Sequence, residues 1–242
     1  MDFATEVFIV SGSGSGIGRS CAEMLLQSGA VVIGLDCKQS AINHENYHHF
    51  QTNLRDEEEI KAAVEEAEKR FERLDGLVNC AGVYATVKPF YEISIDEWDR
   101  VIGTNLTGTF LLSKYVTLKM MKRKAGRIVN ISCIRSRIFR PDMADYAASK
   151  AGVVALTSAM ALDLQNYHIR VNSVAPGFTY TGMTAASFDN PEVRSLSERI
   201  IPAGRIAQPD DIARVVLFLL SDMSNYINGE TIFVDGGFKI SK

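Results

Sequence analysis

The sequence has few cysteines and no long hydrophobic run. The four cysteines are Cys21, Cys37, Cys80 and Cys133. No two of them form a CxxC pair, so we expect free thiols rather than a disulfide framework or a zinc site. The longest apolar stretches, such as "VVLFLL" at 215–220, are far too short to span a bilayer. The start, "MDFATEVFIV", lacks a basic n-region, so we expect no signal peptide, a cytoplasmic location and no membrane partner.

Neither sign of charge dominates the composition. The sequence has 26 lysines and arginines against 29 aspartates and glutamates, a net charge of −3, so nucleic acid is not expected as a partner. Three of the four histidines, His44, His48 and His49, lie close together. We favour a solvated loop and a strand start over a metal site for this cluster, and predict no bound metal.

No linker, repeat or low-complexity segment interrupts the chain. Strand-like runs alternate with longer segments of helical periodicity. The predicted strands include 6–12, 30–36, 75–82, 126–132, 169–177 and 230–237, and the predicted helices 20–29, 60–71, 98–112, 146–165 and one that starts at Pro209. This alternation predicts right-handed βαβ units, and hence a parallel sheet with helices on both faces in one domain over residues 1–242.

The stretch "SGSGSGIG" (11–18) follows the first predicted strand and opens the first helix. Glycines at 12, 16 and 18 let the backbone turn sharply and approach a pyrophosphate, and a helix N-terminus there supplies free N–H groups. A glycine-rich pattern alone often marks only a tight turn. Placed between a strand and a helix, it predicts a dinucleotide site.

The residue at the end of the second strand bears on the choice of dinucleotide. Asp36 stands where a carboxylate accepts hydrogen bonds from an adenosine ribose and repels a 2′-phosphate, so NAD is predicted rather than NADP. Lys38 and Arg19 are the alternative: each is a candidate partner for a 2′-phosphate, or an ordinary surface residue.

Tyr146 and Lys150 stand one helical turn apart in "YAASK". Oxidation of an alcohol by hydride transfer needs a group that takes the hydroxyl proton, and a free tyrosine with a pKa of about 10 is a poor base. A nearby ammonium is expected to stabilise the phenolate and lower the pKa of Tyr146. The pair is therefore a candidate for proton transfer, with Tyr146 as the acid/base; the alternative is an exposed helix pair without function.

Further motifs accompany these two. They are "NCAG" at 79–82, Asn105 in "TNLTG", and Pro176-Gly177 at the end of the predicted strand 169–177. With them the chain resembles the short-chain dehydrogenase/reductase family from residue 6 to about 238, and is similar to 3-oxoacyl-carrier-protein reductases and related alcohol and polyol dehydrogenases. The resemblance implies a single-domain Rossmann fold with a doubly wound, seven-stranded parallel sheet. It also implies a small alcohol or ketone substrate, a segment at about 181–206 that covers it, and a homodimer or homotetramer.

The resemblance also implies roles for individual residues. Lys150 bonds the nicotinamide ribose, and Asn105 holds a water that relays the proton to solvent. The implied contacts with NAD are Gly12, Ser15, Gly16, Ile17, Gly18, Asp36, Asn53, Leu54, Asn79, Ala81, Gly82, Tyr146, Lys150, Pro176, Gly177, Thr179 and Thr181.

One position departs from the family pattern. The catalytic serine of the family usually precedes the tyrosine by about thirteen residues, where this chain has Cys133 beside Ser132. On a strand the two would face opposite sides, so Ser132 cannot simply substitute, and a thiol is a weaker donor than a hydroxyl. Three alternatives stay open: a slow enzyme, a loop that presents Ser132, or a protein that binds NAD without turnover.

Three arginines fall in "IRSRIFRP", residues 134–141. In the family this stretch lines the substrate pocket. If the strand stays extended, Arg135 and Arg137 share the face of Cys133, and we predict that Arg135 or Arg137 holds an anionic substrate group. The alternative is that they are solvated or paired with Asp142 and Asp145.

Overall fold

Seven parallel strands form one sheet in the computed structural model, which describes residues 1–241. The strands are β1 (Val7–Ser11), β2 (Val31–Asp36), β3 (Tyr47–Gln51), β4 (Gly76–Asn79), β5 (Gly126–Ile131), β6 (Ile169–Pro176) and β7 (Thr231–Val234). Their order across the sheet is β3-β2-β1-β4-β5-β6-β7. The order reverses between β1 and β4, which is the switch point of a doubly wound sheet.

Helices cover both faces of this sheet. They are α1 (Gly16–Gln27), α2 (Glu57–Phe71), α3 (Ile95–Ile102), α4 (Gly108–Arg123), α5 (Ala144–Asp163), α6 (Ala185–Phe188), α7 (Pro191–Ile200) and α8 (Pro209–Leu220). Short 3₁₀ turns occupy Phe90–Glu92, Ile134–Ser136, Gln165–Tyr167, Asp222–Ser224 and Phe238–Ser241. The predicted fold class, a single-domain Rossmann fold with a seven-stranded parallel sheet, is confirmed.

The two faces of β1 show how the sequence divides the core. Phe8 and Val10 pack with α1 and α8, whereas Val7 and Ile9 pack with α2, α4 and α5. Successive side chains of a strand point to opposite faces, so a strand covered on both sides must be apolar throughout. This is why β1 reads as a continuous apolar run.

The predicted helix at 98–112 is longer than expected. It starts at Ile95, where Ser94 and Glu97 form a capping box, and it continues through a π turn at Gly103–Thr107 into α4. The predicted start of α8 at Pro209 is confirmed. Among residues 1–241 no helix is both long and apolar enough to cross a membrane, and no group of histidine, cysteine and acidic side chains is arranged to hold a metal ion.

Candidate active site

A cleft of about 740 Å³ lies at the carboxyl ends of the strands. The loops that follow the strands β1 to β6 line it, together with part of the segment 181–206. The predicted site residues that line this cleft are Gly12, Ser15, Gly16, Ile17, Gly18, Asp36, Asn53, Leu54, Ala81, Gly82, Ser132, Cys133, Arg135, Tyr146, Lys150, Pro176, Gly177, Thr179 and Thr181. Side chains that are far apart in the sequence therefore meet here, as expected at the switch point.

The glycine loop is packed so closely that it has no room for side chains. Gly12 has a φ of +69°, and a Cβ there would lie 2.8 Å from the Ala81 backbone. A Cβ on Gly18 would lie 2.2 Å from the Gly12 carbonyl oxygen. Ser15 precedes α1 without a capping bond from its side chain, so the first-turn N–H groups of α1 have no side-chain partner there. A bare backbone and a helix N-terminus on a cleft fit a pyrophosphate.

Gly18→Ala is expected to destabilise the fold and to weaken dinucleotide binding strongly. The added methyl must displace the Gly12 carbonyl, and overpacking of this kind costs about 1–3 kcal/mol. Gly182→Ala is the matched control, because Gly182 lines the same cleft and a Cβ there meets nothing within 4 Å. The free energy of unfolding and an NADH titration measure both effects. Equal behaviour of the two variants would show that the loop is not the cofactor cradle.

Asp36 is fixed at the edge of the cleft beside the glycine loop. Its carboxylate accepts hydrogen bonds from the backbone N–H groups of Gly14 and Lys38, each at 3.0 Å. Arg19 pairs with Glu23 at 2.8 Å and does not line the cleft, whereas Lys38 is exposed and lines it. Of the two cations considered for a 2′-phosphate, only Lys38 is within the site.

Tyr146, Cys133 and Lys150 lie together on the wall of the cleft, with Tyr146 and Lys150 buried and Cys133 partly buried. The Cys133 side chain packs against the cluster that contains Tyr146. The Lys150 ammonium lies 5.8 Å from the centre of the Tyr146 ring and donates a hydrogen bond to the Ile131 carbonyl oxygen at 2.8 Å. The sequence spacing therefore does bring a phenol, a thiol and an ammonium together.

The titration of this group differs from expectation. Burial, and then the neighbouring Cys133, raise the pKa of the Tyr146 hydroxyl well above its usual value. Burial also lowers the pKa of Lys150. The pKa of Tyr146 therefore lies above its usual value and not below it as expected, because desolvation by burial outweighs the lowering by the neighbouring Arg135 guanidinium. At neutral pH Tyr146 is a protonated phenol, which is a proton donor.

Ser132 and Cys133 face different surroundings, as the strand geometry predicted. The Ser132 hydroxyl is buried and donates a hydrogen bond to the Lys150 carbonyl oxygen at 2.9 Å. Cys133 packs beside Tyr146 instead. The thiol therefore occupies the position next to the phenol, and the loop does not turn to present Ser132.

Two predicted polar residues lie behind the cleft rather than on its wall. The Asn79 amide donates to Ser113 and Asn130, both at 2.8 Å, so its side chain is engaged behind the cleft, and its contact with the cofactor stays a prediction. Asn105 is fully buried in the π turn; its amide oxygen accepts from the Val83 backbone N–H at 2.8 Å.

Asn105 is nevertheless close to the Lys150 ammonium. A Cβ built on Gly82 would lie 3.1 Å from the Asn105 amide oxygen and 3.7 Å from the Lys150 nitrogen. The Asn105 amide oxygen and the Lys150 nitrogen therefore both lie close to the Gly82 backbone. Asn105 therefore lies behind the residues that line the cleft. Single π turns inside helices are frequent at functional sites.

The arginines do not follow the extended geometry that was expected. The strand ends at Ile131, and Ile134–Ser136 forms a 3₁₀ turn. Arg135 is partly buried and lines the cleft, but Arg137 is exposed and borders a different cavity. The shared face predicted for Arg135 and Arg137 is wrong because the turn breaks the alternation. Arg140, which was not chosen as a site residue, lines the cleft in place of Arg137.

Sequence reasoning also missed an aromatic and apolar part of the cleft. The ring of Tyr84 lies 5.7 Å from that of Tyr146. Met143, Phe178, Met183 and Phe188 line the same space. Tyr84 comes two residues after Gly82 at the carboxyl end of β4, and that position is the one sequence signal that could have pointed to it.

The chain is similar over nearly its whole length to proteins of known type. A family model described as enoyl-(acyl carrier protein) reductase matches residues 12–239. A 3-oxoacyl-[acyl-carrier-protein] reductase of Vibrio harveyi is 38% identical over 98% of each chain, and one of Aquifex aeolicus 39% identical over 96% of each.

Solved structures share the fold. An aldohexose dehydrogenase from Thermoplasma acidophilum has a TM-score of 0.93 and 30% identity, covering 98% of this chain and 95% of its own. A gluconate 5-dehydrogenase from Burkholderia cenocepacia, in complex with NADP and tartrate, has a TM-score of 0.91 and 31% identity, covering 99% and 97%. The relatives thus include proteins named for acyl thioesters, sugars and a sugar acid.

Proposed function

Since this chain belongs to the short-chain dehydrogenase/reductase family of oxidoreductases, we propose that it transfers a hydride between NAD(H) and a secondary alcohol or ketone, with Tyr146 as the acid/base. The observation that carries the proposal is the packing of Cys133 against the cluster that contains Tyr146, with the Lys150 ammonium 5.8 Å from the centre of the Tyr146 ring, in the same cleft as the glycine loop. A phenol, a second donor and an ammonium at one point suit proton transfer to or from an oxygen.

The residues divide the chemistry among them. When bound, the nicotinamide supplies or accepts the hydride. For reduction of a ketone, the Tyr146 phenol gives its proton to the carbonyl oxygen, and the Cys133 thiol is placed to donate a weak hydrogen bond to that oxygen. The Lys150 ammonium stabilises the phenolate that remains until solvent reprotonates it. The raised pKa of Tyr146 keeps the proton in place beforehand, which suits the reducing direction.

The proposal of NAD rests on Asp36. A carboxylate held by two backbone N–H groups beside Gly14 is fixed where it can accept from ribose hydroxyls, and it repels a phosphate at the same place. The family uses both cofactors, as the NADP complex of the Burkholderia gluconate 5-dehydrogenase illustrates. Lys38 is the competing feature because it is an exposed cation in the same part of the cleft.

Asp36→Ser is expected to weaken NADH binding by about ten- to hundredfold, the loss that follows from removing hydrogen bonds to a charged group. The same variant should bind NADPH more tightly than the wild type does. Fluorescence titration with both cofactors measures the ratio, and Lys38→Ala is the control that should leave NADH binding nearly unchanged. Tighter binding of NADPH than NADH by the wild type would contradict the assignment.

A second candidate substrate comes from the relatives. Those from Vibrio harveyi and Aquifex aeolicus are named as 3-oxoacyl-[acyl-carrier-protein] reductases and align with nearly the whole chain. The apolar residues Met143, Phe178 and Phe188 in the cleft favour an acyl chain. Assay of a 3-oxoacyl thioester with NADH and with NADPH decides between this candidate and a small polar ketone.

Three further expectations remain predictions. We propose that the segment 181–206, whose helices α6 and α7 contribute Phe188, Val193 and Ser197 to the cleft, covers the substrate. The cytoplasmic location and the dimer or tetramer implied by the family resemblance also stay predictions.

A further inference from the structure

Two arginines, Arg135 and Arg140, line the cleft. Within residues 1–241, neither Arg135 nor Arg140 takes part in an ion pair. The Arg135 guanidinium donates one hydrogen bond, from Nη1 to the Ile138 carbonyl oxygen at 3.2 Å. That bond orients the group and leaves its charge uncompensated.

The acids nearby in sequence do not neutralise this charge. Asp145 is fully buried, and its carboxylate accepts hydrogen bonds from the backbone N–H groups of Thr86 at 3.1 Å and Tyr146 at 2.6 Å. Asp142 is partly buried on the turn before α5 and does not line the cleft. The alternative that the arginines pair with these two acids is therefore wrong.

The position of Arg135 places a cation beside the proposed chemistry. It follows Cys133 by two residues and lines the same cleft as Tyr84 and Tyr146. Burial lowers the pKa of Arg135, and the positive charge of Arg140 lowers it further. Arg140 is exposed and lines the same cleft. The two like charges repel each other, and a bound anion would offset that repulsion.

We propose that the substrate carries an oxyanion, a carboxylate or a phosphate, close to its reacting carbon, and that Arg135 and Arg140 bind it. A guanidinium presents paired N–H groups that match such an oxygen pair. The inference rests on the proposed function in taking the anion to be part of the substrate. It selects hydroxy acids, keto acids or sugar phosphates over neutral alcohols.

Calorimetric binding to the protein saturated with NAD tests this with matched ligands. Gluconate and tartrate are compared with their amides, and sugar phosphates with the free sugars, so that each pair differs in charge and the two arms separate carboxylate from phosphate. We expect at least one anion to bind about tenfold or more tightly than its neutral partner, as charge-assisted hydrogen bonds allow. Arg135→Gln and Arg140→Gln should each remove that preference.

Arg137→Gln is the matched control, because Arg137 lies between the other two in sequence but borders another cavity. It should keep the preference for the anion, and unchanged NADH titrations would show that all three variants are folded. The inference is overturned if no anion binds more tightly than its neutral partner, or if Arg137→Gln lowers the preference as much as Arg135→Gln does. The readout is independent of turnover: loss of the acid/base role of Tyr146 would refute the proposed reaction and leave the anion site standing.

Discussion

Tyr146→Phe is expected to lower turnover by about 10²- to 10⁴-fold, the range for loss of a general acid or base. The variant loses only the hydroxyl. The ring keeps its packing with Val101, Ala85 and Met143, so the fold and the affinity for NADH should change little. The rate of NADH oxidation with a ketone substrate measures the first effect, and a fluorescence titration with NADH measures the second.

Tyr84→Phe is the matched control for that experiment. The Tyr84 ring lies 5.7 Å from that of Tyr146 and lines the same cleft, but Tyr84 has no place in the proposed proton transfer. Its variant should keep turnover within a few-fold of the wild type. A Tyr146→Phe enzyme as fast as the wild type, or an equal loss in both variants, would remove Tyr146 from the mechanism.

Cys133→Ser is expected to raise turnover by up to about 10²-fold, because a hydroxyl restores a donor whose removal from an oxyanion site costs 10²–10³. The serine side chain is slightly smaller and takes the same place beside Tyr146. Steady-state kcat for wild type and variant with one substrate measures the gain. A lower kcat in the serine variant would contradict the claim that the Cys133 thiol is a weaker donor in the place of a hydroxyl.

Ser132→Ala is the companion variant that separates the two neighbours. It removes the buried hydrogen bond to the Lys150 carbonyl oxygen, which should lower the free energy of unfolding by about 0.5–1.5 kcal/mol. Turnover should change much less than in Tyr146→Phe. If Ser132→Ala abolishes turnover while Cys133→Ser leaves it unchanged, then Ser132, and not Cys133, faces the substrate.

The glycine loop and Asp36 were predictable because their geometry is local. A strand, a tight turn and a helix follow one another within a few residues, and the second strand runs beside the first, so Asp36 must arrive near Gly14. The pair of Tyr146 and Lys150 was predictable for the same reason, since one helical turn separates them. The fold class followed from the alternation of strands and helices.

The rest depended on the direction of side chains and on loop paths. Asn79 ends a strand, and which face it takes is decided by the register of β4 with its neighbours. The predicted position of Arg137 was wrong because the strand was expected to stay extended, whereas Ile134–Ser136 forms a 3₁₀ turn. Arg140 and Tyr84 reach the cleft through loops whose course is set by tertiary packing. The raised pKa of Tyr146 reflects burial, which the sequence does not reveal at a single helical position.

Transfer of deuterium from NADH labelled at the nicotinamide tests the central claim most directly. Wild-type protein is incubated with the labelled cofactor and a panel of keto acids, sugar-derived ketones and 3-oxoacyl thioesters, and mass spectrometry locates the label. The account predicts an alcohol that carries deuterium on the former carbonyl carbon, formed by the wild type and by Tyr84→Phe but not by Tyr146→Phe. Tight binding of NADH with no deuterium transferred to any member of the panel would contradict it, and would favour a protein that binds NAD without turnover.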